Sequence, residues 1–130
     1  MTKRSEILIA ARTIIADPER WTQGHLARDS EGEIRRPDEP EACKFCAYGA
    51  VLYAAHRLGA HDREGPLTGQ TLDVAAKKIK PEEMKHSGSL RPIAYLNDYF
   101  GDTSRKLVLD AYNLAIQIET ARENATEIER

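Results

Sequence analysis

The sequence predicts a mainly α fold, a single-domain bundle of about five helices around a central apolar helix with one small β-hairpin at its side. Three observations carry that prediction. Apolar residues recur at helical spacing in several separate stretches. An unbroken run of apolar residues and glycine extends from Phe45 to Ala55, as in a helix surrounded by others. Only the segment around Asp29–Gly32 carries hairpin chemistry. With 130 residues, 41% of them hydrophobic and 31% charged, the chain can bury one core, so one domain over 1–130 is expected.

In the first helix Ile7, Leu8, Ala11, Ile14 and Ile15 share one face, and Asp17-Pro18 closes it because a residue before proline is pushed out of the helical region. Residues 25–35 read as two short strands. Asp29 suits the first position of a type I turn and Gly32 the left-handed position that follows. The acidic, proline-containing Asp38-Glu39-Pro40-Glu41 then resembles a helix start, predicting a central helix that runs to Leu58 and ends at Gly59. Its small residues Ala47, Gly49, Ala50, Ala54 and Ala55 allow neighbours to approach closely.

Gly65-Pro66 reads as a loop before a third helix carried by Leu72, Ala75, Ala76 and Ile79 and stopped at Pro81. Ser89 is the expected cap of a fourth helix, with Ile93, Leu96 and Phe100 on one face and Gly101 at its end. Asp102-Thr103 should cap the last helix, whose buried stripe is Leu107, Ala111, Leu114, Ala115 and Ile118. Beyond Glu119 the chain turns polar, and 120–130 is expected to fray.

Lys and Arg number 19 against 21 Asp and Glu, giving a net charge of -2 and no field that would gather phosphates, so nucleic acid is not an expected partner. The apolar stretch Ala47–Ala55 is too short to cross a bilayer, no secretory leader is evident, and two cysteines three apart do not staple a secreted fold. A cytoplasmic location without membrane association is expected. The amphipathic last helix offers a homodimer contact.

Cys43-Lys44-Phe45-Cys46 has the spacing of a zinc or dithiol pair, yet a second pair is absent and His25, His56, His61 and His86 have no ligand spacing. The simpler reading makes Cys46 a buried hydrophobe on the central helix and Cys43 a bystander, and no cofactor is expected. His56, one turn from Leu52 and Tyr53, reads as a core or boundary histidine. No nucleophile elbow, phosphate loop or H-E-x-x-H motif occurs.

A polar cluster remains: Trp21, Gln23, Arg28 and Asp29 before the central helix, and Asn97 and Asp98 near the end of the fourth. Trp offers a stacking face, Arg a fork for carboxylate or phosphate, and the amides can read a planar ligand. The competing reading is structural, with Asp29 shaping its turn, Asn97 and Asp98 ending a helix, and Arg28 pairing with Asp29 or Asp98.

Asp17-Pro18-Glu19-Arg20-Trp21-Thr22-Gln23-Gly24, Ala27-Arg28-Asp29, Phe45-Cys46-Ala47-Tyr48-Gly49-Ala50 and Asn97-Asp98-Tyr99-Phe100-Gly101-Asp102-Thr103 together resemble a family of short, uncharacterised bacterial and phage-borne proteins. The resemblance implies a helical fold and a prokaryotic or phage setting, and carries over no catalytic residue. Its recurring cysteine matches Cys46 and has no counterpart for Cys43, which speaks against a dithiol. Where the family pattern often has an aromatic residue before the Asn-Asp pair, this chain has Leu96.

The leading expectation is a small non-enzymatic binding or regulatory protein recognising a partner protein or small polar ligand through Trp21, Gln23, Arg28, Asp29, Asn97 and Asp98. One alternative is a small hydrolase or transferase, which calls for a pocket near the hairpin holding His25 or His56 beside a carboxylate. Another is a zinc-dependent regulator using Cys43 and Cys46.

Overall fold

Helix α1 (Arg4–Ile15) buries Ile7, Leu8, Ala11 and Ile15, the face its spacing predicts. It opens a computed structural model that describes residues 2–129, with side-chain surroundings for residues 2–126. Asp17 does close this helix. Its carboxylate accepts from the Glu19 N–H at 3.0 Å and caps a single 3₁₀ turn, Pro18–Arg20, which redirects the chain toward the sheet.

The hairpin forms as its turn residues require. Strands β1 (Ala27–Arg28) and β2 (Ile34–Arg35) pair antiparallel, Gly32 has φ +84, and its N–H donates to the Asp29 carbonyl at 3.1 Å. A third strand, β3 (Lys44–Phe45), pairs antiparallel with β1, giving the order β2-β1-β3. This corrects the expected helix start at Asp38-Glu39-Pro40-Glu41, which is a turn. The acids expected to cap a helix instead meet Arg35 and Arg36: Arg36 Nε reaches Asp38 at 3.2 Å, and Arg35 Nη1 reaches Glu39 at 3.4 Å. Phe45, read as helical, is fully buried in the strand.

The central helix α2 (Ala47–Arg57) therefore starts at Cys46, whose Sγ accepts from the Gly49 N–H at 3.3 Å. Gly65-Pro66, expected in a loop, lies inside the first turn of α3 (Glu64–Ile79). There Pro66 sacrifices no helical hydrogen bond. Helix α4 (Pro92–Asp98) is capped not by Ser89 but by Asp73 of α3, whose carboxylate accepts from the Ile93 N–H and from Arg91 Nε, both at 3.1 Å. Gly101 does not end α4, which stops at Asp98; with φ +57 it opens a 3₁₀ turn, Gly101–Thr103. Helix α5 (Ser104–Glu129) starts directly after Asp102-Thr103, the expected cap position; there the Thr103 hydroxyl donates to the Phe100 carbonyl at 2.7 Å and the Ser104 hydroxyl accepts from the Phe100 N–H at 2.9 Å.

Two further expectations change. Helix α5 continues past Glu119 instead of fraying; Arg130 of the expected extension lies outside the described residues. Its buried seam is Val108, Ala111, Tyr112, Ala115 and Glu119, so Leu107, Leu114 and Ile118 lie at the seam's edges. Helices α1, α3 and α4 each pack on both α2 and α5. The mainly α prediction stands, but α2 shares its central place with α5, and the Tyr112 hydroxyl donates to the Ala47 carbonyl at 2.6 Å between them.

Candidate functional site

The structure brings Trp21, Gln23, Asn97 and Asp98 together and spends their polar groups on one another. Asn97 is fully buried. Its Oδ1 accepts from Trp21 Nε1 at 2.8 Å and from the Ala47 N–H at 3.0 Å, while its Nδ2 donates to the Thr22 carbonyl at 3.1 Å and to Asp98 Oδ1 at 2.8 Å. Gln23 Nε2 donates to the Asn97 carbonyl at 2.9 Å, and the Gly24 N–H to Asp98 Oδ1 at 3.0 Å. Every side-chain hydrogen-bonding position of Asn97 is thereby occupied. The cluster ties the segment after α1 to the end of α4 and the start of α2.

Asp29 sits apart from that hub, Arg28 reaches it only through the Gln23 carbonyl, and the two do not pair with each other. Arg28 donates to the carbonyls of Gly32 at 2.9 Å and Gln23 at 3.5 Å, whereas Asp29 accepts from the N–H groups of Glu31 and Glu33 and from Arg35 Nε at 3.0 Å. Burial works to raise the Asp29 pKa, but these donors outweigh it and hold the carboxyl below its ordinary value.

Cys46 is buried at the α2 start, and its thiol is pushed up to about 11, first by burial and further by the charge of Asp98. A proton held that firmly leaves little thiolate at neutral pH. Alkylation at about pH 8 is expected to modify half-buried Cys43 and spare Cys46; equal labelling of both in folded protein would contradict this. Because the folded thiol keeps its proton above the ordinary value of 9.0, its contribution to stability is complete below that pH and declines as pH rises toward about 11. A pH series of urea midpoints checks the sign.

His56 is exposed in the last turn of α2 and is not a core histidine. His25 is exposed on a shallow groove of ≈ 320 Å³, where the carboxylate present, Glu39, is engaged by Arg35 at 3.4 Å and Arg36 at 3.6 Å. Among the described residues no three His, Cys, Asp or Glu side chains converge as a metal site.

The larger concavity lies elsewhere. A cleft of ≈ 960 Å³ opens between the start of α1, the Gly59–His61 loop, the start of α3 and the later turns of α5. Lys3, Arg4 and Arg122 line it together with Glu6, Glu64, Glu119 and Glu123, a nearly balanced set of charges. Arg4 Nε pairs with Glu64 at 2.9 Å; that bond, with the nearby charge of Glu119, raises the Arg4 pKa against the effect of burial. The buried Glu119 carboxylate accepts from the Thr71 hydroxyl and from Arg122 Nη1 at 3.3 Å. Glu123 Oε1 accepts from the hydroxyl of Ser5, which α1 buries. Glu123 Oε2 and Thr68 Oγ1 are buried without a hydrogen-bond partner among the described residues. Thr68 stands on α3 between Glu64 and Thr71, at the i, i+4, i+7 positions of one helix face.

Sequence reasoning missed this cleft because Glu123 falls in the stretch expected to fray and Glu119 stands at its edge. A signal was present. Glu119 continues the i, i+4 row Ala111–Ala115, which marks a carboxylate carried into a buried seam.

Fold and cleft define a mainly α protein that joins its first and last helices around a polar concavity. The chain belongs to a family of unknown function, DUF6197, whose family model matches residues 1–118, in agreement with the resemblance to an uncharacterised family. No curated protein and no solved structure matches it. Among the described residues no helix is long and apolar enough to cross a membrane.

Proposed function

We propose that the chain is a non-enzymatic binding protein that takes a small polar ligand in the cleft between α1, α3 and α5. One observation carries the reading: Glu123, which lines this cleft, keeps its buried Oε2 without a partner among the described residues, and the other such oxygen, Thr68 Oγ1, lies behind the lining one helical turn beyond Glu64 on α3. Buried polar atoms are almost always paired, and one left alone costs about 1–3 kcal/mol, so spare capacity beside a concavity marks where a donor is wanted. The Asn97 cluster has no comparable capacity, and its role in this reading is to hold the scaffold. The cleft's imidazole, His61, is exposed, and its Nδ1 accepts from the Arg63 N–H at 3.2 Å, so it is not joined to a nucleophile.

Screening a library of small polar compounds by amide NMR tests the reading. Shifts are expected at Ser5, Glu64, Thr68 and Glu119, and they should shrink in Arg122→Ala, whose side chain is mostly exposed. Hits that map only to Trp21, Asn97 and Asp98, or a library that leaves the spectrum unchanged, would refute it.

A further inference from the structure

Charge in the cleft is graded by depth. The Glu119 side chain is 4% exposed and Glu123 Oε2 has no exposed surface, whereas Arg4 and Arg122 are 35% and 58% exposed. The two α5 carboxylates form the floor, and the guanidiniums share the rim with exposed Glu6 and with Glu64, the partner of Arg4. Glu119 and Glu123 are four apart on α5, hence on one face. The Thr71 and Ser5 hydroxyls each donate to one of these carboxylates, which fixes their orientation and leaves Glu123 Oε2 as an acceptor without a donor.

An anionic group is repelled from that floor. A protonated amine suits it, because its three N–H donors can serve Glu123 Oε2 and Glu119 together. At the rim, Arg4 Nε and Arg122 Nη1 are each engaged by one carboxylate, so both guanidiniums retain donors for an anion. The near balance of charge in the lining disfavours a dication and a dianion alike.

We infer that the cleft binds a small zwitterion of the free amino acid type, its ammonium seated on Glu123 and Glu119 at the floor and its carboxylate held by Arg4 and Arg122 at the rim. This rests on the cleft being the binding site and adds the ligand class and its orientation.

The test titrates the full chain with each of the common free amino acids, followed by amide NMR and thermal denaturation. At least one is expected to give a saturable rise in Tm with shifts at Ser5 and Thr68. Its decarboxylated amine should bind at least tenfold more weakly, and its N-acetyl derivative and deaminated acid should not bind. Glu123→Gln and Arg122→Ala should each weaken binding at least tenfold. If Glu123→Gln fails to fold, the N-acetyl derivative and Arg122→Ala decide. Undiminished binding of the N-acetyl derivative or the deaminated acid overturns the inference. So does a spectrum unmoved by every amino acid, which would mean that solvent alone satisfies Glu123 Oε2. If amine-free polar compounds occupy the cleft while amino acids do not, the ligand class falls and the binding reading stands; if nothing binds, both fall.

Discussion

Gly49→Ala is expected to leave little folded protein, although it adds a single methyl group to a helix. A Cβ at Gly49 would stand 2.7 Å from the Leu26 carbonyl carbon, 3.2 Å from its Cα, and closer still to its oxygen. All three are main-chain atoms, so no rotamer change relieves the clash. That same Leu26 oxygen accepts from the Cys46 N–H at 3.2 Å at the threshold of α2, so moving the strand away breaks the junction between helix and sheet. Overpacking a site with no freedom to yield costs at least about 3 kcal/mol, a large share of a domain's stability. Gly32→Ala is the control. Gly32 has a positive φ but nothing within 4 Å of its added Cβ, so only backbone strain of about 1 kcal/mol is expected there. Urea unfolding of both variants checks the order, and a Gly49→Ala midpoint no lower than that of Gly32→Ala would refute the close-approach argument.

The role of Gly49 was half legible in the sequence. Its place among small residues announced a close neighbour; that the neighbour is the backbone of Leu26, just before β1, instead of a second helix depends on the third strand, which went unread. Strand β3 has two residues, too few for alternation to register, and it continues without a break into the apolar run of α2. The acids at 38, 39 and 41 also imitate a helix start, and only the hairpin's arginines, brought alongside by folding, redirect Asp38 and Glu39. Local signals fared better where the physics is local. The spacing of Ile7, Leu8, Ala11 and Ile15 gave the buried face of α1, and Asp29 with Gly32 gave the turn. The pairings that build the cleft were illegible for the opposite reason. Ser5 and Glu123 are 118 residues apart, and Thr71 and Glu119 are 48 apart, so no window of sequence contains either pair.

Asn97→Leu is expected to cost about 3 kcal/mol or more, since a side chain of similar size fills the space but leaves three groups without their partner. Trp21 Nε1–H, the Ala47 N–H and the Thr22 carbonyl each lose the bond they make to Asn97, and the Ala47 N–H lies at the first turn of α2, where no intrahelical acceptor exists. Asn97→Asp distinguishes this network from simple packing. The acceptor survives, but the donor to Thr22 is lost and a carboxylate replaces the amide that now reaches Asp98 at 2.8 Å. Two carboxylates that close cannot both ionise without penalty, so one is held protonated and its folded pKa is raised. The stability it supports is present at acidic pH and lost as pH rises, so Asn97→Asp should lie closer to the parent protein near roughly pH 4 than near roughly pH 7. Trp21 is the single tryptophan, and its fluorescence reports unfolding from within the network. A parent-like urea midpoint for Asn97→Leu, or an Asn97→Asp deficit that grows toward acid, would show that packing and not hydrogen bonding holds this junction.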